Sequence, residues 1–128
     1  MDKDNINEIL TEIIKHADFI NIDNNDIDKL KNSADSFDSV KVYGEEKEIT
    51  DMLKNAIRSL KEKNAGYQLN GLLFVICIST KNKTFSQHIN SVYDIIESLG
   101  YSINCVWGIA TVCSLPAEQI EAIVVASF

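Results

Sequence analysis

Apolar residues recur along this chain with two different periods, and the alternation between them lays out the expected elements. Over residues 5–17, Ile6, Ile9, Leu10, Ile13, Ile14 and Ala17 fall at i, i+3, i+4, i+7, i+8 and i+11, the stripe of one helix face. Asp18-Phe19-Ile20 and the polar run Asn21-Ile22-Asp23-Asn24-Asn25-Asp26 follow. Ile27 and Leu30 then mark a short helix that stops in the polar stretch Asn32 to Ser36. Asn24 or Asn25 suits its N-cap, because an amide oxygen can accept from the free N–H groups of the first turn. Asp26 and Asp28 in that turn complement the helix dipole.

Val40-Lys41-Val42-Tyr43 alternates and predicts a short strand ending at Gly44. An amphipathic helix follows, with Ile49, Met52, Leu53, Ala56, Ile57 and Leu60 on one face and charges on the other. The polar segment Lys63 to Asn70, which includes Gly66, breaks it. Gly71 to Ser79 is nearly continuous in apolar residues, the pattern of a central strand buried on both faces. After the polar loop Thr80 to Thr84, Ser86 can cap a helix whose buried face is read as Ile89, Val92, Tyr93, Ile96 and Leu99. Gly100 sits where helices commonly stop. Residues 103–112 and 119–128 read as two final strands joined through Pro116.

The order is a helix-loop-helix, then β-α-β-α-β-β. This is an α/β (α+β) two-layer sandwich, a four-stranded mixed sheet covered by two helices. The two helical crossovers favour parallel pairing wherever the strands they join are adjacent, and the last two strands are expected to pair antiparallel. A chain of 128 residues with 45% hydrophobic content is long enough to bury one core without disulfides or metal, so residues 1–128 are read as a single domain.

Charge narrows the partners. A net charge of −7 argues against nucleic acid or an anionic membrane surface, both of which call for basic patches. The start Met-Asp-Lys-Asp has neither the basic residues nor the apolar run of a secretory signal, and no segment approaches the length of a membrane span. A cytoplasmic location is expected. Cys77, Cys105 and Cys113 are odd in number, the first two lie in apolar runs, and no Cys/His spacing suits zinc.

Self-contained chemistry is scarce. The glycines are isolated, so no glycine-rich phosphate cradle exists, and neither His16 nor His88 has an acidic or thiol partner nearby in sequence. Trp107 reads as core, Glu45 to Glu48 as a solvated face, and Asn82-Lys83-Thr84 as a chance glycosylation sequon. The best chemical clue is the pair Asp23 and Asp26. One reading makes their loop a polar turn that caps a helix. The other turns the carboxylates outward, onto something supplied by another molecule.

Ile20-Asn21-Ile22-Asp23-Asn24-Asn25-Asp26 matches the pattern Ile-Asn-x-Asp-x-x-Asp, Gly44-Glu45 precedes a long helix, and Gly71-Leu72-Leu73-Phe74-Val75 opens an apolar strand. Asn104-Cys105-Val106-Trp107-Gly108 and Val124-Val125-Ala126-Ser127-Phe128 follow in order. Together, over roughly residues 9–128, these resemble the C-terminal domain of FtsZ, the bacterial tubulin-like cell-division GTPase. The resemblance implies that residues 5–17 are the tail of a long central helix, 18–26 a carboxylate loop and 38–128 the sandwich. It departs from the family at Asn24-Asn25, where an apolar Phe-Ala is usual, at Thr80–Thr84, where Gly-Gly-x-x-Leu is usual, and at Ser127-Phe128, one residue short of Thr-Gly-Phe.

In that family the loop of one subunit enters the nucleotide pocket of the next. The resemblance therefore implies that Asn21, Asp23 and Asp26 act in trans on a neighbour's GTP. It implies a part in filament assembly or capping, with an FtsZ-type protein or further copies of the chain as partners. The chain has no counterpart of the nucleotide-binding domain, so no cofactor of its own and no autonomous activity are expected. Two other readings stand beside this one: a small-molecule-binding regulatory domain, and a non-catalytic FtsZ-like scaffold.

Overall fold

The computed structural model describes residues 24–32, 36–99, 103–112 and 114–128, together with Glu8. The helix expected over 5–17 and the loop as far as Asp23 lie outside the described residues. Within them the chain runs α1 (Asn24–Asn32), β1 (Phe37–Glu45), α2 (Ile49–Lys63), β2 (Gly71–Ser79), α3 (Ile89–Ser98), β3 (Asn104–Val112) and β4 (Gln119–Ser127). Short 3-10 turns at Glu46–Glu48 and Phe85–His88 lead into α2 and α3. This is an α+β arrangement with one mixed four-stranded sheet.

The strand order is β1-β4-β2-β3. β2 and β3 run parallel, joined by the α3 crossover, while β4 is antiparallel to both β1 and β2. The expected β3–β4 pair is therefore corrected: β4 crosses past β2 and inserts between it and β1. The reason lies in the side chains. Val124, Val125 and Ala126 are apolar on both faces and fully buried, which suits a central strand, whereas β1 carries Asp38, Lys41 and Glu45 and suits an edge. β1 is also longer than the alternation suggests, starting at Phe37, because Phe37 is 1% exposed and pairs with Ser127.

One face of the sheet carries Leu72, Phe74 and Ile76 of β2 and Ile120, Ala122, Val124 and Ala126 of β4. Against it pack Ile49, Leu53, Ala56, Ile57 and Leu60 of α2 and Val92 and Ile95 of α3. The 3.6-residue period of α2 thus becomes the main core. At roughly 2 kcal/mol for each fully buried large side chain, that face dominates the fold's stability. Asp51 in the first turn and Lys61 and Lys63 in the last complement the α2 dipole. The helix ends where the Asn64 side chain donates to the Leu60 carbonyl at 2.8 Å and to Asp38 at 3.1 Å. Gly66, at φ 98°, then takes the left-handed turn towards β2.

The opposite face carries Leu73, Val75, Cys77, Ala110 and Val125, and Leu30 of α1 and Phe37 join them. A third helix therefore contributes to the core from the far side of the sheet. Tyr93 corrects the reading of α3. It is 53% exposed, while Ile95 is buried. α3 lies by the edge strand, so one flank of its stripe passes beyond the sheet, where Tyr93 meets Trp107 edge-on at 5.6 Å between ring centroids.

Candidate functional site

Asn21 and Asp23 lie outside the described residues. Asp26 is the third residue of α1, which begins at Asn24 and so takes in the end of the loop. Asn24 and Asn25 are inside the helix rather than at its cap, correcting the expected capping role. Lys29 and Lys31 in the last turn complement the dipole.

What fixes α1 is Leu30, four residues beyond Asp26. It is 6% exposed and packs beside Gly71, at the start of β2. A Cβ at Gly71 would stand 2.8 Å from the Ser127 hydroxyl oxygen and 3.4 Å from both the Asn104 carbonyl and Leu30 Cδ1. Ser127 is fully buried, so the hydroxyl has little room to yield. Glycine is required here by close approach rather than by conformation.

Main-chain bonds close the same end of the sheet. Asn70 N donates to Ser127 O at 2.8 Å, Asn104 N to Asn70 O at 3.2 Å, and Phe128 N to Ser36 O at 2.9 Å. The starts of β2 and β3, the end of β4 and helix α1 are thereby gathered in one place. Backbone bonds of this kind set geometry without depending on charge.

A second polar assembly lies at the far end. Asn82 Nδ2 donates to Glu46 at 2.6 Å and to the Ala117 carbonyl at 3.0 Å, while Asn82 Oδ1 accepts from the backbone N–H groups of Thr84 and Phe85. The Thr84 hydroxyl donates to Glu46, and His88 Nε2 lies 3.9 Å from the same carboxylate. Burial pushes the Glu46 carboxyl up, but the bonds from Thr84 and Asn82 and the nearby His88 ring outweigh it, holding the group below its ordinary value.

Two sequence readings change as a result. Glu46 belongs to a partly buried hydrogen-bond network rather than to a solvated face, its side chain being 15% exposed, and His88 does have an acidic partner. Both contacts span about forty residues of chain, beyond any local pattern.

No family model and no curated protein sequence matches the chain.

Among the described residues, no group of three or more His, Cys, Asp or Glu side chains is placed to hold a metal ion. Nor is any helix among them long and apolar enough to cross a membrane. Cys77 is buried, and burial pushes the Cys105 thiol up to about 11, which leaves it protonated and unreactive at neutral pH. Trp107 stacks on Phe74 at 6.0 Å, a packing role.

Proposed function

We propose that this chain is an FtsZ-type C-terminal domain that acts on a neighbouring subunit rather than on a nucleotide of its own. The observation that carries the reading is the junction around Gly71. Three of the segments that resemble the family, Gly71–Val75, Asn104–Gly108 and Val124–Phe128, meet at one end of the sheet. The helix that takes in Asp26 is pinned at that same end through Leu30. The resemblance is thus spatially coherent as well as ordered along the chain.

On this reading Asn21, Asp23 and Asp26 form half of a GTPase site. Phosphoryl transfer depends mostly on positioning and electrostatics, and a carboxylate can orient the attacking water. The nucleotide and the groups that cradle it belong to the partner, either an FtsZ-type protein or another copy of this chain joined to such a domain. Docked through its loop face, the chain joins one end of a filament of bacterial cell-division protein and blocks addition of the next subunit.

Light scattering of FtsZ assembling with GTP tests this. Added chain lowers the plateau in proportion to the filament ends it occupies. An unchanged plateau at several-fold molar excess of the chain contradicts the proposal.

A further inference from the structure

The parallel strands β2 and β3 and the segment leading into α3 line an open cavity of about 620 Å³, at the opposite end of the sheet from Gly71. In β-α-β units the connecting loops splay apart beyond the carboxyl ends of parallel strands, and ligands collect there. The volume falls within the range of small-molecule sites. The floor is apolar, formed by Ile78, Phe85, Ile89 and Ile109. Lys83 and Ser86 are among the residues of the polar part.

The charge of this lining runs against that of the chain. The protein carries a net −7, yet the charged residue lining the cavity is a lysine. Glu46 is not part of the lining, because Asn82 and Thr84 hold its carboxylate between the loop and the turn before α2.

We propose that this cavity binds a small monoanion with an apolar body, an aryl or medium-chain carboxylate. The body lies on the isoleucine and phenylalanine floor, and the carboxylate meets Lys83 with Ser86 beside it. A nucleotide brings several negative charges to one cation, and the Thr80–Thr84 loop has no glycine to let backbone N–H groups approach phosphates. An amine is repelled by Lys83. A purely apolar ligand offers the Lys83 ammonium no counter-charge. The site involves neither α1 nor the carboxylate loop and stands independently of any filament role.

The experiment is an amide-resolved NMR titration of the whole chain at low salt with three probes of one shape: 3-phenylpropionate, 3-phenylpropanol and 3-phenylpropylamine. The carboxylate is expected to shift Ile78, Ile89 and Ile109 with a dissociation constant of roughly 1 mM, typical of a ligand this small. The amine is expected to bind at least about fivefold more weakly, the scale of one exposed ion pair. Lys83 is exposed, so its replacement leaves the fold intact. Lys83→Gln abolishes the preference for carboxylate, and Lys83→Glu reverses it in favour of the amine. Shifts outside the cavity, equal binding of the three probes, no binding at all, or a carboxylate preference that survives Lys83→Glu would each overturn the proposal.

Discussion

At one end of the sheet, three strands interlock through main-chain hydrogen bonds and α1 packs against them through Leu30, with a hydroxyl oxygen 2.8 Å from where a Gly71 Cβ would stand. At the other, one asparagine and one glutamate tie a loop to a turn, beside a cavity of about 620 Å³. The first end is tolerant of pH and intolerant of volume. The second is the reverse: there is room to spare, but the geometry rests on the ionisation of one carboxylate and on a single amide side chain. A chain that presents a loop from a fixed helix gains from the first plan. A chain that admits a ligand gains from the second.

The largest effect should come from filling the tight end. Gly71→Val forces its side chain against Ser127, Asn104 and Leu30, and overpacking of this kind costs about 3 kcal/mol. Thermal unfolding should shift downward by roughly 10 °C, the scale for a domain of this size. A shift near zero would mean that the junction is looser than these distances imply. Next comes Asn82→Ala at the other end, which removes four hydrogen bonds and strips Glu46 of one donor. A loss of about 2 kcal/mol is expected in urea unfolding. It should come with amide shifts in the Thr80–Thr84 loop and none at Gly71.

A smaller, pH-dependent effect distinguishes the two ends without changing volume. The folded-state value of Glu46 lies below that of the unfolded chain, so its contribution is complete above the ordinary carboxylate range. It is lost as pH falls through the lower, folded value. Glu46→Gln should therefore flatten the acid limb of the stability profile below about pH 4.3. An unchanged acid limb would mean that the network carries no net charge preference. Smallest of all is Gly44→Ala. A Cβ there meets Met52 Sδ at 2.7 Å, but that thioether is flexible, and the change should stay within about 1 kcal/mol. The contrast between two glycines with equally short contacts isolates the rigidity of the neighbour as the deciding factor.

Much of this architecture can be read from periodicity. The unbroken apolar run of β2 announces a central strand with correct ends, and the stripe of α2 lists its core side chains. The strand order is harder to see. β3, Asn104–Val112, is also mostly apolar yet lies at the edge, so a largely hydrophobic strand does not by itself mark the centre. The insertion of β4 is written in Val124-Val125-Ala126, where alternation gives way to burial on both faces, but that run says nothing about which neighbours it takes. Gly71 is conspicuous in the sequence, whereas the reason for it, the convergence of Ser127, Asn104 and Leu30, exists only in three dimensions. The Glu46–Asn82 bond was illegible for the same cause: hydrophobic patterning reports which face is buried, not which polar side chains meet across 36 residues.

The central claim is that Asp23 and Asp26 serve a neighbour's nucleotide. The most direct measurement is phosphate release from GTP by FtsZ held below the concentration at which it assembles, so that its subunits lack a neighbouring loop. Excess chain is predicted to raise the rate to a saturating level, and the Asp23→Ala/Asp26→Ala double variant, folded as judged by circular dichroism, is predicted to lose that stimulation. A rate unmoved by the chain, or raised equally by the double variant, would contradict the account.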